Sequence, residues 1–248
     1  MPTPVHYERT GAAALVTIDR PERRNAVDAE TAALLRESLS RFEADDDARV
    51  LVLTGTGEAF CAGADLKAMN LDIDHPDGPM GFTRVTPTKP TIAAIDGWCL
   101  AGGFEIALWC DLRIATERST FGLFERRWGV PLIDGGTQRL PLVVGLGRAL
   151  ELTLTGRPVD AQEALRIGLV NEVVAPGKHV ERAIELAEQL AAFPQETMLA
   201  DRRAMLEGSR MPWAEALEHE YRQGRAVMEV AARGAARFAG GEGRHGEF

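Results

Sequence analysis

Cysteine is scarce and odd in number in this 248-residue chain, which holds only Cys61, Cys99 and Cys110. They lie far apart in apolar surroundings, so they read as free core thiols rather than a disulfide framework or a zinc site. Histidine is as sparse: His6, His75, His179, His219 and His245 show no ligand-like spacing, and no metal is expected. Basic charge is in deficit. With 28 Lys and Arg against 37 Asp and Glu, the formal charge of -9 argues against nucleic acid as a general partner, because phosphate affinity rests on clustered cations. No apolar run approaches the roughly 20 residues that cross a bilayer, and the start shows no basic region followed by an apolar one. A cytoplasmic protein without a membrane partner is expected. Aromatics are also few, at 6%, yet 45% of the residues are hydrophobic, enough to bury a sizeable aliphatic core.

What is present alternates. Val5–Arg9 and Ala13–Ile18 flank Thr10-Gly11-Ala12 as a hairpin, and Asp28 is placed to cap a helix carrying Ala32, Leu35, Leu39 and Phe42 at helical spacing. Strand candidates follow at Val50–Thr54, Pro90–Ile95, Leu112–Ala115 and Leu169–Val174. Helix candidates fall at Phe104–Cys110, Gly136–Val144 and, behind Asp160, Ala164–Ile167. This order predicts an α/β fold. Beyond about Pro176 the strands run out, and helices are predicted at Val180–Ala191, Ala200–Leu206 and Trp213–Ala232, with the glycine-rich stretch from Phe238 to Phe248 outside them. We therefore divide the chain into a core over residues 1–190 and a helical region over 191–248 that serves packing and self-association. Asn70–Pro87, rich in Pro and Gly, is the one long loop of the core, a natural lid or pocket wall.

Three segments carry candidate chemistry. Ala101-Gly102-Gly103-Phe104-Glu105 lies between a strand and a helix, where glycines admit a close ligand, free helix N–H groups face it, and Glu105 adds an ionisable group. Phe60 to Leu66 repeats that mixture of small residues, with Ala64 as a second N–H donor; Asp65 there is equally placed to cap a local helix start. Gly55-Thr56-Gly57 imitates a dinucleotide fingerprint, but Phe60 stands where the third glycine belongs, so no such site is assigned. The third segment, Phe121 to Leu140, contributes Glu125, which is either a surface partner of Arg126 and Arg127 or a second carboxylate for acid–base work. Spacing alone does not bring the two glutamates together.

Taken in order, these segments resemble the enoyl-CoA hydratase/isomerase, or crotonase, family. The resemblance is carried by Arg20-Pro21 with Asn25-Ala26, Phe60 with Ala62–Lys67, Lys89-Pro90, Gly102-Gly103 with Glu105 and Cys110-Asp111, and Phe121-Gly122 with Glu125. Gly135–Leu140 and Gly168-Leu169-Val170 extend it. It implies a spiral of ββα units with a C-terminal helical region, a trimer or dimer of trimers, and an acyl-CoA substrate, with CoA entering as part of the substrate and no separate cofactor. It also implies an oxyanion hole from the N–H groups of Ala64 and Gly102, with Glu105 activating water and Glu125 delivering a proton. Arg23, Arg24, Ala62, Asp65, Leu66 and Lys67 are the implied CoA contacts. Hydration of a trans-2-enoyl-CoA is the leading expectation. Isomerisation or another enolate-stabilised reaction, and a non-catalytic acyl-CoA binder, are the alternatives. The chain departs from the hydratase pattern at Val130–Asp134, where Asp134 stands as a third carboxylate near the pocket or as a helix cap, and at Asn70–Thr88, which is short for an acyl-lining helix.

Overall fold

The computed structural model describes residues 3–243. It divides into two compact units, Met1–Leu190 and Ala191–Phe248. In the first, β1 (Val5–Thr10) and β2 (Ala13–Ile18) form the predicted antiparallel hairpin. Helix α1 (Ala29–Ala44) starts at Asp28, whose carboxylate accepts the Thr31 N–H at 2.9 Å and so satisfies one of the free donors of the first turn. The other end of α1 is closed by Lys89, whose ammonium donates to the carbonyls of Phe42, Asp45 and Ala48 at 2.5, 2.9 and 3.0 Å. A half-buried cation here serves the negative end of the helix dipole.

From β3 to β8 the chain alternates between two sheets. β3 (Val50–Gly55), β5 (Thr91–Ile95), β7 (Leu112–Thr116) and β10 (Glu172–Val174) join β1 and β2 in a six-stranded sheet of order β1-β2-β3-β5-β7-β10, parallel from β2 onward. β4 (Ala59–Cys61), β6 (Trp98–Leu100), β8 (Thr120–Gly122) and β9 (Val159–Asp160) form a second sheet in that order, with β4, β6 and β8 parallel. Each turn of the spiral therefore lays one strand on the large sheet and the next on the small one. The large-sheet strand β5 is buried throughout and β3 at every residue but Gly55, as parallel strands covered on both faces require. The small-sheet strands were not anticipated from the sequence, because three residues show no period.

The remaining elements of this unit are α2 (Gly102–Trp109), a 3-10 turn over Phe124–Arg127, α3 (Gly136–Val144), α4 (Leu146–Thr155), α5 (Ala161–Arg166) and α6 (His179–Ala192), which runs just past the unit boundary. Asp160 caps α5 by accepting the Glu163 N–H at 2.7 Å. Leu169–Val174 is strand only over its last three residues, because the N–H groups of Leu169 and Val170 turn back to the carbonyl of Ala164 to close α5.

The second unit contains α7 (Gln195–Gly208), α8 (Trp213–Ala226) and α9 (Met228–Ala239). The single helix expected over Trp213–Ala232 is broken at Val227, whose φ of -113° and ψ of 15° leave the helical basin and whose N–H returns to Gly224. Phe238 and Ala239, expected outside a helix, complete α9; residues 244–248 lie outside the described residues. No helix among the described residues is long and apolar enough to cross a membrane.

Candidate active site

All three candidate segments leave the carboxyl ends of neighbouring parallel strands of the small sheet. Ala62–Ala64 follows β4, Ala101–Glu105 follows β6, and Glu125 follows β8, with Cys61 paired to Cys99 and Leu100 to Gly122. Residues tens of positions apart thus converge where parallel sheets commonly hold ligands.

The two small-residue turns face one another at backbone distance. A Cβ on Gly63 would lie 2.9 Å from the Gly102 nitrogen, and one on Gly103 would lie 2.2 Å from the Cys61 carbonyl oxygen, so only glycine permits the approach. Gly102 is the first residue of α2, and the first helix bonds to Ala101 O come from Phe104 and Glu105, which leaves the Gly102 N–H outside the ladder. The bridge between Val27 and Ala64 is likewise made by the neighbours of Ala64: Val27 donates to Gly63 O, and Asp65 donates to Val27 O. Its own N–H remains outside that pairing. Ala101, between the turns, holds φ 51° and ψ -127°, a conformation costly for a residue with a Cβ, and such strain persists where the surroundings impose it.

Glu105 is buried in the first turn of α2, only 2% exposed. Its Oε1 accepts the backbone N–H groups of Asp134 at 3.0 Å and Gly136 at 2.7 Å, and Oε2 takes no hydrogen bond from the described residues. A Cβ on Gly136 would sit 2.9 Å from both Cγ and Oε1 of Glu105, so the glycine is what lets the helix N-terminus approach the carboxylate. Burial outweighs these donors, and the nearby charges of Asp134 and Glu125 add to it, pushing the carboxyl from 4.5 to about 7. Glu125 is buried too, and neither of its oxygens has a protein hydrogen-bond partner. Desolvation raises its pKa as well. It is therefore not a surface partner of its neighbouring arginines: Arg126 donates to Thr153 O, and Arg127 lies over the Phe124 ring.

Asp134 does not cap α3, which begins behind Gly135 without a side-chain cap. Its carboxylate Oδ1 instead accepts the Met80 N–H at 3.1 Å and the Thr83 hydroxyl, so it fastens the Asn70–Thr88 loop to the site. That loop holds turns but no helix or strand, and residues 78–83 are buried. Met80 reaches the Gly102 turn: its Cε lies 3.0 Å from where a Gly102 Cβ would be.

The implied CoA contacts divide into two kinds. Arg23, Arg24, Leu66 and Lys67 are exposed, and Arg24 adjoins Ala62 through the bond from Ala62 N–H to Arg24 O. Asp65 is buried and turned inward, accepting Arg20 at 3.1 Å and the N–H groups of Lys67 and Ala68, so it stabilises a turn over residues 66–68 rather than a helix. Arg20 also pairs with Asp28 at 2.8 Å. This network was not expected as part of the site, although Arg20 was visible in the motif series. Buried Asn25, held at φ 56°, donates to Thr56 O and Ala59 O and so fixes the same loop against β4. Among the described residues no cluster of His, Cys, Asp and Glu is arranged to hold a metal ion.

Two backbone N–H groups outside the regular pairing lie beside two buried carboxyls whose pKa values are raised, an arrangement able to hold an oxyanion and move protons at adjacent atoms. The sequence model of the enoyl-CoA hydratase/isomerase family matches residues 8–241. A short-chain-enoyl-CoA hydratase from Clostridium acetobutylicum is 38% identical over 224 residues, covering 87% of this chain and 86% of the relative. An (E)-benzylidenesuccinyl-CoA hydratase from Thauera aromatica is 40% identical over 223 residues, with the same coverage of 87% and 86%. Among solved structures, an enoyl-CoA hydratase from Mycobacterium marinum superposes with a TM-score of 0.91 at 34% identity over 96% of each chain. The chain belongs to the enoyl-CoA hydratase/isomerase family and has the crotonase fold.

Proposed function

We propose that this chain is an enoyl-CoA hydratase that adds water across the double bond of a trans-2-enoyl-CoA to give the 3-hydroxyacyl-CoA. The observation that carries the reading is Glu105, a buried carboxyl with a pKa near 7, set one turn from the Gly102 N–H and within the influence of a second buried carboxyl, Glu125. The thioester oxygen accepts from the N–H groups of Ala64 and Gly102. Glu105, ionised, takes a proton from water as the water oxygen bonds to Cβ, and the displaced electron pair moves onto the thioester oxygen as an enolate. Fixed donors stabilise that charge most where water is excluded. Glu125, protonated, then gives its proton to Cα as the enolate collapses. One water is consumed, one glutamate gains a proton and the other loses one, so the step balances without a redox partner, metal or separate cofactor. Exposed Arg23, Arg24 and Lys67, beside Ala62 and Leu66, are the positions for the CoA moiety, with Asp65 holding their turn.

Turnover of crotonyl-CoA, followed as loss of conjugated-thioester absorbance, tests this. Glu105→Gln and Glu125→Gln keep the shape but remove proton transfer, and each is expected to lower kcat by about 10²–10⁴-fold. Native-like turnover in either variant would refute the two-glutamate mechanism. Isomerase activity on a 3-enoyl-CoA without hydration would move the chain to the other branch of its family.

Self-association into a trimer or a dimer of trimers, in the cytoplasm, is part of the same proposal. It is supported by Leu146, Leu150 and Leu154, which form one stripe of α4 and are 64%, 49% and 71% exposed. Such a stripe marks an interaction surface. A monomeric mass in light scattering at micromolar concentration would contradict it.

A further inference from the structure

We propose that Asp134 is a positioning residue that holds Met80 over the Gly102 turn and thereby restricts this site to short acyl chains. The inference rests on the acyl-CoA reading above and deepens it. Asp134 ties together three parts of the site: its main-chain N–H meets Glu105 Oε1 at 3.0 Å, while its Oδ1 accepts Met80 N–H at 3.1 Å and the Thr83 hydroxyl. Arg139 closes the same loop, donating to the carbonyls of both Asp134 and Thr83. Met80, Thr83 and Asp134 are 1%, 1% and 4% exposed, so the clamp is interior.

The segment it fastens runs along one face of α2. Positions 102, 105, 106 and 109 share that face by helical spacing. Met80 covers Gly102, and Phe82 packs on Trp109 with ring centroids 4.4 Å apart. Against Phe82 and Trp109 lies a cavity of about 10 Å³, lined also by Val16, Leu35 and Leu51 among others. That is room for about one water and not for an alkyl tail. An acyl group whose carbonyl sits at Gly102 and whose Cβ reaches Glu105 meets Met80 and Phe82 soon afterwards. Lengthening the chain requires that segment to move, and Asp134 is what prevents it.

The experiment is calorimetric titration with unreactive saturated thioesters, butyryl-CoA and octanoyl-CoA, into the native chain and its variants. Native protein is expected to prefer butyryl-CoA. Met80→Ala and Asp134→Ala are expected to shift the ratio of the two Kd values toward octanoyl-CoA by about tenfold, the scale of a few methylenes in a pocket. Asp134→Asn keeps an acceptor at Oδ1 and is expected to stay within about twofold of native, a rescue that a merely destabilising change would not show. If Asp134→Ala does not fold, Thr83→Val removes one strand of the clamp at constant shape and is expected to shift the ratio in the same direction. Equal weakening of both ligands in these variants, or a native chain that binds octanoyl-CoA as tightly as butyryl-CoA, would overturn the inference. Binding without any crotonyl-CoA turnover would sink the hydratase reading alone; failure to bind either thioester would sink both.

Discussion

Replacing Glu105 by Gln is expected to stabilise the protein while it disables the site, and to do so only above a definite pH. The carboxyl is shifted from 4.5 to about 7 because burial, and then the charges of Asp134 and Glu125, outweigh the two N–H donors on Oε1. An acid whose folded pKa is raised keeps its proton in the native state after the unfolded chain has lost it. Between those two values the native state binds more protons, so stability falls as pH rises through this window, and the loss is complete above about 7. At 1.36 kcal/mol per pH unit the full penalty is about 3 kcal/mol. Glutamine keeps an oxygen for the Asp134 and Gly136 N–H groups and has no proton to lose. At pH below 4.5 the variant and native chains should melt together; at pH 8.5 the variant should melt about 6–12 °C higher, at about 2–4 °C per kcal/mol for a chain of this size. Scanning calorimetry at the two pH values is the assay. A difference in Tm that does not change with pH would show that Glu105 is not held near 7, and the general-base assignment would lose its physical basis.

The same shift predicts that kcat/KM for crotonyl-CoA falls on the acid side below about 7, where Glu105 takes up its proton; a profile flat down to pH 5 would contradict it. Gly136→Ala places a methyl 2.9 Å from Glu105 Oε1 and is expected to lower kcat by about tenfold or more at a modest cost in stability. Gly103→Ala puts its methyl 2.2 Å from the Cys61 carbonyl and should cost at least about 1–3 kcal/mol in urea unfolding, because two backbones must separate. Gly63→Ala covers the Gly102 N–H at 2.9 Å and is expected to reduce kcat by about 10²–10³-fold with KM less affected, as loss of an oxyanion donor does; an equal fall in affinity for substrate would mean the N–H serves binding alone.

The large sheet was legible because its strands obey simple rules. Val50–Thr54 and Pro90–Ile95 are continuous apolar runs, and Asp28 and Asp160 announce helices by a capping interaction that acts within three residues. The small sheet was not legible. Ala59–Cys61, Trp98–Leu100 and Thr120–Gly122 are strands because they pair with one another across the fold, which no local propensity records. The site inherits this division. Each of its turns could be seen as a turn, since glycine and alanine mark close backbone approach, but that Gly63 faces Gly102 depends on β4 lying beside β6. Asp134 shows the limit most clearly: next to a helix start it reads equally as a cap, and only the tertiary placement of Met80 and Thr83 decides its partner.

Several costly features gather at the site. Ala101 holds a positive φ, Glu125 buries two oxygens without a partner, and Glu105 is desolvated until its charge is costly at neutral pH. By contrast, Asn25 is satisfied by three backbone partners and the half-buried Lys89 by three carbonyls. On the proposed mechanism these costs have a common cause. A donor already bonded to protein cannot hold an enolate, and a carboxylate fully bonded or fully solvated has too low a pKa to retain and return a proton near neutrality. The strain is concentrated at the ends of β4, β6 and β8, where the small sheet and the Arg20, Asn25 and Asp134 networks are rigid enough to impose it. Relieving any one of these features should therefore strengthen the fold and weaken the chemistry together, as the Glu105→Gln prediction requires.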